Sequence, residues 1–199
     1  MTDYFAAKSR DWDERPVPVQ ISKAVGRLLE AQDWDSSMRV LDFGAGTGLI
    51  AAAVAPHVSR VVAVDTSPSM LAALAAKEEL QGKVETRCHD ILETPLDERF
   101  DAVISAMALH HVGDTGAVAW RFAEHLKPGG LLALADLDRE DGSFHPPGTE
   151  GVFHHGFDRA ALQSILEATG FESVRFTTAV EVEKEGGRFP VFFVSARKA

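Results

Sequence analysis

Apolar positions along the chain follow two alternating rhythms. Nearly continuous apolar runs at 38–43, 60–65, 99–105 and 131–136 read as strands covered on both faces. Between them, apolar residues recur three and four apart: Ile21, Val25, Leu28 and Leu29, then Ile50 to Ala55, Met70, Leu71 and Leu74, and Val118, Phe122 and Leu126. That spacing predicts helices with one buried face. Residues 83–90 alternate polar and apolar and read as a further strand. Residues 171–182 and 189–196 alternate again, and the short turn 183–188 joins them as an antiparallel hairpin. Strand–helix units followed by a hairpin predict an α/β fold.

Local signals refine the boundaries. Phe5, Ser9 and Trp12 share one helical face, which predicts a short helix within 3–15. Arg15-Pro-Val-Pro18 is expected to break it. Ser67 before Pro68 reads as a helix N-cap, and Asp158 caps a last helix that Gly170 closes. Leu126-Lys-Pro-Gly-Gly130 ends the preceding helix, with Gly129 and Gly130 free to turn left-handed.

At 199 residues the chain fits one domain. Its net charge of −10, with scattered Lys and Arg, argues against nucleic acid as a partner. The lone Cys88 leaves no internal disulfide and fits a reducing cytoplasm. No long apolar run opens the chain, so neither a signal peptide nor a membrane span is expected.

The chemistry begins where the first strand meets a helix, at Asp42-Phe-Gly-Ala-Gly-Thr-Gly48. Bare glycine backbone lets a ligand approach N–H groups that a side chain would shield. The dinucleotide fingerprint needs a third glycine or alanine where Leu49 stands. Asp65 ends the next strand about 20 residues on, where such units place a carboxylate on ribose hydroxyls. A plain strand-end cap is the other reading of it.

D-x-G-x-G-x-G at 42–48 resembles motif I of the class I S-adenosylmethionine (SAM) methyltransferases. Phe-Asp-Ala-Val-Ile at 100–104, Leu-His-His-Val at 109–112 and Leu-Lys-Pro-Gly-Gly at 126–130 resemble further features of that family. The resemblance spans 38–198. It implies a Rossmann-like, seven-stranded, mostly parallel sheet with the last strand antiparallel and helices on both faces in three layers. It divides the domain into an N-terminal helical cap at 1–35, a cofactor-binding half at 36–137, and a substrate-side loop, helix and hairpin at 138–199. It implies SAM as cofactor and S-adenosylhomocysteine as product. The implied cofactor contacts are Asp42, Gly44, Ala45, Gly46, Asp65, Thr66, Met70, Asp90 on the adenine amino group, backbone groups near Ile91 on the ring, and Ala106. Tyr4, Phe5 or Trp12 would cover the sulfonium from a lid, and Trp12 is the residue chosen for this role.

His110 and His111, after the fourth strand, are the candidate catalytic residues. As a metal site the pair is poor, because adjacent histidines share no helix face and no third ligand follows at motif spacing, so no metal is expected. The loop 137–157 follows a strand's carboxyl end and is expected to wall the substrate side; Asp136, His154 and His155 are further candidate bases. The function expected is methyl transfer to a small-molecule acceptor by a cytoplasmic monomer or homodimer. Two alternatives compete: a non-catalytic SAM-binding subunit that supports a partner protein, and a nucleotide-dependent oxidoreductase, which Leu49 and the Lys-Pro-Gly-Gly turn disfavour.

Overall fold

The computed structural model describes Asp3 and residues 5–199. Tyr4, one of the lid aromatics, lies outside the described residues. The elements run α1 (Pro16–Glu30), β1 (Arg39–Phe43), α2 (Leu49–Val54), β2 (Arg60–Asp65), α3 (Pro68–Ala75), β3 (Val84–Cys88), β4 (Phe100–Ala106), α4 (Thr115–His125), β5 (Leu126–Leu137), α5 (Arg159–Ala168), β6 (Phe171–Lys184) and β7 (Gly187–Lys198). One seven-stranded sheet results, ordered β3-β2-β1-β4-β5-β7-β6, with β7 antiparallel to both of its neighbours and the other pairs parallel. This is the three-layer architecture expected.

The two-residue period of the strands divides the core. Val40 and Val61 face one layer, where they pack with Ile21, Val25 and Leu29 of α1 and Ile50 and Val54 of α2. Leu41 and Val62 face the other, with Phe122 of α4 and Leu162 and Leu166 of α5. Central strands are thus apolar at almost every position because both faces are covered. Asp42 of β1 and Asp136 of β5 are acidic exceptions, and both are fully buried. Strand order reverses between β1 and β4, the switch point where open α/β sheets hold ligands.

Several boundaries depart from expectation. Pro16 and Pro18 start α1 rather than break it. The first helical turn has no N–H partner to lose, and proline's fixed φ suits it. Residues 5–11 form turns, followed by a 3-10 turn at Trp12–Glu14, instead of a helix. Leu126 is already extended and pairs with Phe100, so the Leu-Lys-Pro-Gly-Gly segment belongs to β5 across a register shift. Gly129 has φ +74°, whereas Gly130 has no positive φ. The terminal hairpin pairs through Lys184 and Gly187, leaving only Glu185 (φ +51°) and Gly186 (φ +83°) in the turn. Two successive positive φ values match the twist of the strands.

The loop at 138–157 is closed at its base. Arg139 N–H donates to Phe157 O and Glu140 N–H to His155 O, each at 2.9 Å. Arg159 grips the Asp138 carboxylate with two bonds of 2.7 and 2.6 Å. The long excursion therefore leaves and returns at one point, and its tip reaches the cleft.

Candidate active site

A cleft of about 890 Å³ opens at the carboxyl ends of β1, β2 and β4. Its floor is the glycine turn. Gly44, Gly46 and Gly48 have φ of +66°, +55° and +80°, conformations that L side chains rarely adopt. Their roles differ. A Cβ on Gly44 would sit 2.4 Å from the Ala108 Cβ, and one on Gly48 would sit 2.7 Å from Leu74. A Cβ on Gly46 would meet nothing within 4 Å. Gly44 and Gly48 therefore let the chain pack, and Gly46 keeps bare backbone facing the cleft.

Asp65 holds this turn to β2. One carboxylate oxygen accepts from Gly46 N–H and the other from Ser67 N–H, both at 2.8 Å. Burial raises its pKa, against the opposing pull of those two bonds. Asp42 lies behind the turn. Burial, and then the charge of Asp65, raises its pKa well above the carboxylate range. Neither of its oxygens finds a partner among the described residues.

The first residues strap across the turn. Asp3 accepts from Ser67 Oγ at 2.7 Å and from Ser69 N–H at 3.2 Å, at the start of α3. Asp13 accepts from Thr47 Oγ1 at 2.5 Å and pairs with Lys77 at 2.6 Å. Phe5 presents an edge to Trp12 and to His111, with centroids 6.1 and 5.5 Å apart. Phe5 and Trp12 thereby line the cleft.

The far end is built from histidines. His110 Nδ1 lies 2.7 Å from Asp136 Oδ1, and His110 N–H donates to Asp136 Oδ2 at 3.2 Å. Both side chains are buried. Burial pushes the Asp136 carboxyl up, but His110 and the N–H groups of Leu137 and His110 outweigh it and hold its pKa low. His110 Nε2 lies 3.1 Å from Nε2 of His145, which the 138–157 loop delivers. His111 Nδ1 meets Gly151 O at 2.6 Å. Burial, reinforced by neighbouring His110, lowers the His111 pKa to about 4; burial and the two other histidines do the same for His145, also to about 4.

Gly44, Ala45, Gly46, Asp65, Thr66, Met70, Asp90, Ala106, Trp12, His110 and His111 all border the cleft. Asp42 and Ile91 do not. Asp42 is sealed behind the glycine turn, and Ile91 is fully buried with Val62, Phe100 and Phe122. Asp90 also caps its own turn, accepting from Leu92 N–H at 2.8 Å. The candidate bases His154 and His155 turn elsewhere: His154 Nε2 is held by Val112 O at 2.9 Å, and His155 is exposed beside Glu140. Sequence spacing gave no sign of His145, whose approach depends on the loop's closed base.

A doubly wound sheet with a bare-backbone turn and an acid on the next strand defines a nucleoside-binding α/β domain. Residues 40–130 match the family described as a methyltransferase domain. The chain is 39% identical over 110 residues to a ubiquinone biosynthesis O-methyltransferase of Bradyrhizobium sp., a match covering 55% of this chain and 44% of that protein. It is 34% identical over 137 residues to an uncharacterized methyltransferase of Schizosaccharomyces pombe, covering 61% of this chain and 48% of that one. It thus spans about half the length of these curated relatives. The fold matches that of the N-methyltransferase NodS from Bradyrhizobium japonicum in complex with S-adenosylhomocysteine, with a TM-score of 0.75, 17% identity and 99% of each chain covered. Residues 40–130 thus carry a methyltransferase domain, and in sequence and fold the chain is similar to the class I SAM-dependent methyltransferases. The site suits SAM: Gly46 leaves open backbone, and Asp65 faces the cleft.

Proposed function

We propose that this protein transfers the SAM methyl group to a hydroxyl of a small molecule held at the histidine end of the cleft. The observation that carries this reading is the placement of the His110–Asp136 pair in the same cleft as Gly46 and Asp65. When bound, SAM supplies an activated methyl: a bond forms from the acceptor oxygen to the methyl carbon, and the carbon–sulfur bond breaks with its electron pair left on sulfur. The protein aligns the partners, and alignment can lower a barrier by about 7–11 kcal/mol.

A hydroxyl acceptor must also lose its proton. A carboxylate only accepts, so Asp136 fixes the proton of neutral His110 on Nδ1 and leaves a lone pair on Nε2. That nitrogen is the base. His111, Phe5 and His145 form the acceptor's wall. The O-methyltransferase relative supports a hydroxyl, and the acidic chain supports a small molecule over nucleic acid. No helix among the described residues is long and apolar enough to cross a membrane. An open cleft also weighs against a scaffold role, which a pocket plugged by apolar side chains would have favoured.

Calorimetry with SAM, S-adenosylhomocysteine and NAD tests the cofactor, and transfer of labelled methyl to a panel of phenols, alcohols and amines tests the acceptor. Tight binding of the first two and turnover with hydroxyl compounds are expected. NAD binding, or labelling of amines alone, would overturn the proposal.

A further inference from the structure

The three histidines at the acceptor end stand in a relation that a base alone does not require. One ring nitrogen from each of His110, His111 and His145 lies within 4.8 Å of the other two. Their outward bonds fix two of the tautomers. Asp136 and the Gly151 carbonyl are both acceptors, so His110 and His111 each keep a proton on Nδ1 and a bare lone pair on Nε2. His145 Nε2 already stands 3.1 Å from His110 Nε2. Around a tetrahedral zinc ion with bonds of about 2.0–2.1 Å, neighbouring nitrogens are about 3.3 Å apart. The remaining closure is within reach of a side chain carried by a loop.

We propose that His110, His111 and His145 bind a divalent first-row transition metal, with an open coordination position facing the cleft. Imidazole favours zinc, cobalt, nickel or iron over magnesium. Three protein ligands with one open position is the arrangement of a catalytic zinc site rather than a structural one. The outer contacts fit as well, since ligating histidines commonly donate their other N–H to a carboxylate or backbone carbonyl. His110 does the first and His111 the second.

The inference rests on the reading of this end as the acceptor side and deepens it: once bound, the ion takes over from His110 Nε2 the task of freeing the acceptor's proton. An acceptor hydroxyl held by the ion becomes more acidic, its proton passes to water, and its oxygen keeps the pair with which it attacks. His110 Nε2 then serves as a ligand, and Asp136 positions it.

The test titrates metal-stripped full-length protein with cobalt and reads the visible absorption of the bound ion. One cobalt per chain is expected, displaced by zinc and untouched by magnesium. His145→Ala, on a loop, should lower cobalt affinity by roughly 100-fold or more with an unchanged melting temperature. Asp136→Asn should lower it about 10–100-fold. No uptake, or uptake unaffected by His145→Ala, would overturn the site. Methyl transfer assayed in parallel separates the two readings. Full turnover by stripped protein that takes up no cobalt removes the metal and leaves the methyltransferase. Stoichiometric cobalt without turnover on any hydroxyl compound keeps the site and removes the acceptor assignment.

Discussion

The two ends of the cleft are made of different material. At the cofactor end, backbone does most of the work: three left-handed glycines, the N–H of Gly46 and the carboxylate of Asp65, all within one strand–turn–helix–strand unit. At the end proposed for the acceptor, side chains do it, and they arrive from three places: the segment after β4, the end of β5 and the tip of the 138–157 loop. The first end is a local structure that spacing can encode. The second exists only once the sheet has formed and the loop has closed on itself.

The largest test of this contrast is Asp136→Asn. It should cut methyl transfer by roughly 10²–10⁴-fold, the range that general-base catalysis supplies, and leave SAM affinity unchanged. Asparagine preserves the shape but no longer holds the imidazole proton on Nδ1. The turnover–pH profile should therefore change along with the rate. A parallel loss of SAM binding would show that the two ends are not independent.

Asp65→Ala probes the other end. It should weaken SAM binding by about 1–3 kcal/mol, the consequence of leaving buried hydroxyls unpaired, while turnover at saturating SAM stays near wild type. Calorimetry and saturation kinetics measure the two halves of that statement. An unchanged affinity would assign Asp65 to the turn alone, holding Gly46 and Ser67.

What could be read from the sequence follows the same division. The strands of the central sheet were legible because burial on both faces leaves continuous apolar runs. The glycine turn and Asp65 were legible because their geometry depends on residues within about two dozen positions. The start of α1 was not: Pro16 and Pro18 carry opposite meanings inside a helix and in its first turn, and only packing against α2 and the sheet decides between them. The backbone near Ile91 reads as a ring contact by position, while its apolar side chain, beside Phe100 and Phe122, is drawn into the core. His145 was one polar residue among many in an aperiodic loop. Its partner His110 is 35 positions away, and no local pattern carries that distance.

A smaller and sharper test separates glycines that look alike in sequence. Gly44→Ala should destabilise the domain, because its Cβ would meet Ala108 at 2.4 Å, so this position cannot isolate the cradle's role in binding. Gly46→Ala has room and should lower stability only by the left-handed strain of about 1–2 kcal/mol. Its methyl nevertheless enters the cleft, so SAM affinity should fall further than stability does. Thermal melts with and without SAM distinguish the two. Equal stability losses, with equal retention of binding, would mean that the turn is a packing device throughout.

The smallest effect expected in the wild type concerns pH, because groups at the two ends oppose each other. Asp42 titrates above its ordinary value in the folded protein, owing to burial and the charge of Asp65. The folded state therefore holds this proton longer than the unfolded chain does. The stabilisation is complete below the unfolded value of 3.8 and is lost as pH rises through the higher folded value. His111 and His145 act in the other direction. Their folded values are about 4 against 6.5 unfolded, so stability from their neutral forms is complete above 6.5 and is lost as pH falls toward 4. Between pH 4 and 6.5 the two trends partly cancel, and the melting temperature should vary little with a chelator present. Asp42→Asn removes the larger part of the descending trend, to which Asp65 also contributes. Its melting temperature should rise with pH across that window, and the double variant with His145→Ala should rise less. If Asp42→Asn followed the wild-type curve, the buried carboxyl would have the same proton affinity folded and unfolded, and its apparent isolation behind the glycine turn would be wrong.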